Sequence, residues 1–167
     1  MKKQTRLVTQ AGLIAAMYVA LTYLSSAFGL AYGSVQLRLS EVLTILPVFT
    51  PGAIPGLTLG CIIANIGSPL GIADVITGSL ASLFAATLTY ALRNIKYRNI
   101  SFLSLLPPIV INALFVGAEL ALLGSEDASA QVFLTELLSV ALSETAVIIP
   151  GGFLLMKIIP KTKVFSI

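Results

Sequence analysis

The sequence predicts an all-α membrane protein of about six transmembrane helices, with both termini on the cytoplasmic side. Two observations predict it. Hydrophobic residues make up 57% of the 167-residue chain and charged residues only 10%, against roughly 25% charged in an ordinary soluble domain. The apolar residues fall in long blocks, and the basic residues fall between the blocks, where membrane topology places them. One integral membrane domain over 1–167 accounts for a chain of this length.

A span needs about 20 mostly apolar residues. Apolar stretches run at about 7–28, 42–66, 72–92, 101–123 and 132–159. The first follows Met1-Lys2-Lys3 and contains Ser25-Ser26-Ala27, so it imitates a cleavable leader; the further apolar stretches favour a retained span. The second carries Pro47, Pro51 and Pro55 with Gly52 and Gly56 between them. Punctuation of this density marks a turn, so 42–66 is expected to form two short helices with a bend near 51–55. The alternative is one kinked span. Counting charges favours the split. With six spans and the N-terminus inside, Lys2, Lys3, Arg6, Arg93, Lys96, Arg98, Lys157, Lys161 and Lys163 are cytoplasmic, and only Arg38 of the ten basic residues lies outside. A five-span chain leaves three or more outside.

In that arrangement the acidic residues all fall in the outer half. Glu41 opens the second helix, Asp74 opens the fourth, Glu119 lies near the outer end of the fifth, and Glu136 and Glu144 lie on the sixth. Glu126 and Asp127 sit in the outer loop, where a solvated charge needs no further reason. Arg38, Asn65 and Asn112 join the acids. A charge at bilayer depth costs at least about 2.5–3.5 kcal/mol on insertion scales, and such residues face a bundle interior or a watery cavity. Helical spacing puts Asn112, Phe115 and Glu119 near one face, and Glu136, Val140 and Glu144 near another. The expectation is a polar pocket open to the outside, with Phe115, Phe28, Tyr32 or Phe133 as a possible stacking plane.

Several functions are disfavoured. The basic residues form no stripe that could follow a phosphate backbone, so no nucleic-acid partner is expected. One cysteine, Cys61, and no histidine leave no intrachain disulfide and no obvious metal site. No catalytic group, metal or cofactor is assigned. No G-x-x-x-x-G-K-[ST] loop is present, so the chain is not itself an ATPase. The residues alone leave open a small-solute transporter, a membrane enzyme using paired carboxylates, and a scaffold. In the first span, Ala11 with Ala15 and Gly12 with Ala16 have small-xxx-small spacing, which lets a second helix approach closely. That face serves either internal packing or the docking of a partner subunit.

Particular words in the sequence carry a resemblance. The run Val35-Gln36-Leu37-Arg38-Leu39-Ser40-Glu41-Val42-Leu43-Thr44 is followed by Pro47-Val48-Phe49-Thr50-Pro51, Ile54-Pro55-Gly56 and Gly60-Cys61-Ile62-Ile63-Ala64-Asn65. With Asp74-Val75-Ile76-Thr77-Gly78-Ser79-Leu80-Ala81, these resemble the QueT family, the substrate-binding (S) subunits of energy-coupling-factor (ECF) transporters. The likeness is specific over about 35–93 and looser elsewhere. It implies a six-helix S-subunit bundle in the cell membrane and a deazapurine substrate, a queuosine precursor such as 7-aminomethyl-7-deazaguanine. It also implies a transmembrane coupling subunit and two ATPase subunits as partners, with the Ala11–Ala15 pattern in the docking position. A vitamin such as riboflavin or thiamine is the alternative substrate. The residues expected to hold the solute are Arg38, Glu41, Asn65, Asp74, Asn112, Phe115, Glu119 and Glu144.

Overall fold

The computed structural model describes residues 3–98, 100–124 and 129–162. Glu126, Asp127, Lys2 and Lys163 lie outside them. The regular elements are helical: α1 (Lys3–Ala27), a 3₁₀ helix (Leu39–Val48), α2 (Ala53–Asn65), α3 (Ile72–Leu92), α4 (Leu106–Leu123) and α5 (Ala130–Thr162). A 3₁₀ turn, Phe102–Leu105, leads into α4.

Four helical segments are long and apolar enough to cross a membrane: α1, α3, α4 with its leading turn, and α5. The stretch 42–66 does divide into two short helices, but they break at Phe49–Gly52, and the first begins at Leu39. Pro47 stays inside the 3₁₀ helix. Pro55 sits in the first turn of α2, where its missing N–H leaves no ladder bond broken. The bundle thus has six helices, of which two are too short for a full crossing. α2, at 13 residues, reaches roughly 20 Å, whereas α5, at 33 residues, reaches roughly 50 Å at about 1.5 Å per residue.

Each long helix packs on its neighbour in sequence, α1 on α2, α2 on α3, α3 on α4 and α4 on α5, and the 3₁₀ helix lies among α1, α2, α3 and α5. Ten residues is long for this conformation. Pro47 cannot donate to the helix ladder, and β-branched Val42, Thr44, Ile45 and Val48 weaken the α alternative. Residues three apart eclipse in a 3₁₀ helix, so its edges are easily read. Ser40, Leu43 and Leu46 form one buried edge, and Glu41, Thr44 and Pro47 a second. Burial on two edges holds the segment, and the second edge carries Glu41 into the centre of the bundle.

The α1–α2 contact explains the small residues. A Cβ at Gly56 would lie 2.8 Å from the Ala11 carbonyl oxygen, and one at Gly60 would lie 3.1 Å from the Ala15 carbonyl oxygen and 2.8 Å from Tyr18 Cβ. Ala11 and Ala15 are buried. They are therefore engaged within the bundle, which corrects their expected place on a docking face. Gly12 and Ala16 point away, exposed, with nothing within 4 Å of a Cβ built at Gly12. The small-residue surface left free on α1 is theirs.

The core divides along the bundle. Ile14, Tyr18, Leu43, Leu57 and Cys61 pack together where α1 meets α2. Ile45, Leu105, Ile109, Ile148 and Met156 pack near the end of α5. Ile100, within the α3–α4 connection, joins that second cluster, and Arg6 of α1 shares a groove with Ile159 of α5. The start of α1, the 93–101 connection and the end of α5 therefore lie at one end of the bundle. Every described basic residue except Arg38 is at that end.

Candidate functional site

At the opposite end, the 28–38 connection folds over the helices. Gly29 (φ 71°) and Gly33 (φ 107°) supply left-handed backbone that other residues adopt at a cost. Backbone bonds from Leu30 N to Ser25 O and from Leu37 N to Leu30 O, both 2.9 Å, close the loop on itself. Beneath it is a cavity of about 260 Å³, close to the lower limit of about 300 Å³ for small-molecule sites. The loop contributes Tyr32, Ser34 and Gln36; the α2–α3 connection contributes Ser68; Asp74 comes from α3 and Glu136 from α5. Val116 and Leu120 of α4 form an apolar wall.

Glu136 accepts a hydrogen bond from Ser34 Oγ at 2.9 Å through Oε1. Its Oε2 is buried with no hydrogen-bond partner among the described residues. The Tyr32 hydroxyl donates to the Ala64 carbonyl at 2.8 Å, and the Arg38 guanidinium lies 5.1 Å from the Tyr32 ring centroid, within cation–π range. Burial raises the Tyr32 phenol pKa, so the hydroxyl stays a donor at neutral pH.

Asp74 joins the cavity to a buried network. Asn65 Nδ2 donates to its carbonyl at 2.9 Å and its carboxylate at 3.2 Å. Arg38 Nη2 lies 3.8 Å from Asp74 Oδ2; Nη1 donates to Asn65 Oδ1 at 3.3 Å and Nε to the Ala31 carbonyl at 2.5 Å. A second group surrounds Glu41. The Tyr18 hydroxyl donates to Oε1 at 2.5 Å, and Asn112 Nδ2 bridges Glu41 Oε2 at 3.3 Å and Glu144 Oε1 at 3.0 Å. The two groups adjoin through Arg38 and Glu41, three residues apart in sequence. Asp74, Glu41 and Glu144 are all buried, and Arg38 pairs with the first of them. Glu144 Oε2 and Arg38 Nη2 have no hydrogen-bond partner among the described residues. Orphan polar atoms at this depth are costly.

Residues 8–161 match the family model described as QueT transporter. The chain belongs to the QueT transporter family. It is 35% identical over 82 residues to the queuosine precursor transporter QueT of Lactococcus lactis subsp. cremoris (strain MG1363). That match covers 49% of this chain and 48% of the relative, so it spans about half the length of the curated protein. No solved structure matches the chain. Family membership and four membrane-length apolar helices make it a multi-pass membrane protein.

Of the residues singled out from sequence, this QueT-family bundle brings six into two buried groups, Arg38 with Asn65 and Asp74, and Glu41 with Asn112 and Glu144. Phe115 and Glu119 lie elsewhere. They line a separate groove of about 480 Å³ beside Thr77 and Leu122, and Phe115 meets Phe84 at a centroid distance of 5.9 Å. A step of three residues falls about 60° short of a full turn. That is enough to turn Phe115 away from the Asn112 side and onto α3. Glu119 is buried there, and neither carboxylate oxygen has a hydrogen-bond partner among the described residues. The cavity wall adds Ser34, Gln36 and Ser68, which carry no periodic or charge signal. Glu136 did have a signal, because it shares the Glu144 face of α5.

Proposed function

We propose that this QueT-family chain binds a queuosine precursor, 7-aminomethyl-7-deazaguanine or a close relative, in the cavity beneath the 28–38 loop. It delivers the solute inward as the S subunit of an ECF importer. The observation that carries this reading is the unpartnered Glu136 Oε2 in the wall of a cavity that also holds Asp74 and Tyr32. A guanine-like ring presents adjacent N–H donors that suit a carboxylate, and an aminomethyl group is a cation that suits a second one. An aromatic side chain offers its face to the base. The ring oxygen takes a donor, and Gln36 stands in the wall. The name of the Lactococcus relative, queuosine precursor transporter, supports the solute class.

The chain works in this reading as a binder and not as an enzyme. Having no phosphate loop of its own, it draws energy from a coupling subunit and two ATPases. The basic end of the bundle faces the cytoplasm, which puts the loop-covered cavity outside, where a substrate is captured. Gly12 and Ala16 form the docking surface on α1.

The test is isothermal titration calorimetry on the purified protein in nanodiscs, with 7-aminomethyl-7-deazaguanine, other deazapurines, guanine, riboflavin and thiamine. Tight binding of the aminomethyl compound, with guanine weaker, is the expected result. Binding of either vitamin with no response to any deazapurine would overturn the assignment.

A further inference from the structure

The ring of sequential helix contacts is left open between α1 and α5. There a groove of about 390 Å³ runs between the two helices, floored by Leu43 and Leu46 of the 3₁₀ helix and walled by Leu155 and Ile159 of α5. On the α1 side its character changes along the length. Lys3, Arg6, Gln10, Leu13 and Met17 fall at i, i+3, i+7, i+10 and i+14, one stripe of a helix. The stripe begins with two cations and ends with two apolar side chains, Leu13 and Met17, that are exposed. Arg6 lines the groove and makes no hydrogen bond or ion pair with a described residue.

We infer that this groove holds one anionic phospholipid, its phosphate at Arg6 and Lys3 and an acyl chain laid along Leu13 and Met17 over Leu43 and Leu46. The occupant follows from the order of the stripe. An apolar trough alone fits any chain or helix. A trough whose one end carries uncompensated cations, at the level where the helix leaves the apolar layer, matches a negatively charged headgroup continuous with a hydrocarbon tail. The lipid completes the bundle wall where α1 and α5 do not meet, and it rests on no assumption about the solute.

The experiment is native mass spectrometry of the detergent-purified chain with phosphatidylglycerol or phosphatidylcholine of identical acyl chains, alongside thermal unfolding with each lipid. A single phosphatidylglycerol should persist at collision energies that strip phosphatidylcholine, and should raise the melting temperature more. Arg6→Gln should weaken phosphatidylglycerol retention roughly fivefold, as expected for one cation near a membrane surface, and leave phosphatidylcholine unchanged. Leu13→Asp should reduce retention of both. Equal retention of the two lipids, or Arg6→Gln indistinguishable from the parent, overturns the inference. So does thiol protection in Leu13→Cys that arises only when a coupling subunit is added, because the groove would then belong to a protein helix.

Discussion

Asn65 holds Asp74 at two points, donating to its backbone carbonyl at 2.9 Å and to its carboxylate at 3.2 Å. The last residue of α2 thereby fixes the first turn of α3, and with it one wall of the cavity. The grip depends on a bare neighbour, because a Cβ at Gly78 would collide with the Asn65 amide.

Asn65→Ala is expected to lower stability by about 1–3 kcal/mol, since the amide's partners are left buried and unmet. Differential scanning fluorimetry should show a fall of roughly 2–4 °C per kcal/mol. Affinity for the deazapurine should fall in parallel, because Arg38 and Asp74 lose their common tether.

Gly60→Ala should destabilise by about 1–3 kcal/mol, because the added carbon overpacks a tight α1–α2 contact. Gly12→Ala is the matched control. It points into open space and should leave the melting temperature level or slightly raised, as expected for Gly→Ala in a helix.

Glu136→Gln should weaken binding of 7-aminomethyl-7-deazaguanine roughly ten- to a hundredfold, the equivalent of about 1.5–3 kcal/mol for a charged hydrogen bond. Folding should be spared, since Ser34 Oγ can still donate to the amide oxygen. Calorimetry and fluorimetry on one preparation separate the two effects. Loss of melting temperature with unchanged affinity would assign Glu136 to loop anchoring alone.

Tyr32→Phe keeps the ring beside Arg38 and removes only the donor to Ala64, so it should cost about 1 kcal/mol of stability with little change in affinity. Tyr32→Ala removes the ring as well. Its affinity loss should be larger by about 1–3 kcal/mol if the base stacks there, read by the same titration.

Much of this arrangement was legible in the sequence because charge in an apolar chain is conspicuous. Arg38, Glu41, Asp74, Asn112 and Glu144 stood out as residues that lipid would not tolerate, and the bundle gathers them. The Pro-Gly run around residues 47–56 likewise announced two short helices. Two things were not legible. The 28–38 loop shapes the cavity with Ser34 and Gln36, which are ordinary residues for any exposed connection, and loop placement depends on distant partners such as Glu136. The partner of the α1 small residues was also hidden. Ala11–Ala15 and Gly12–Ala16 have identical spacing, and only the position of Gly56 and Gly60 decides which pair turns inward.

The 3₁₀ helix Leu39–Val48 has one more consequence. With three residues to each turn, removing or inserting a single residue between Glu41 and Pro47 would swivel everything on one side of the change by about 120°. Glu41 and the Leu43–Leu46 edge could not both keep their places. Related chains should therefore hold this segment to one length and keep its two buried edges, Glu41 among them, like a key whose shaft may not be shortened.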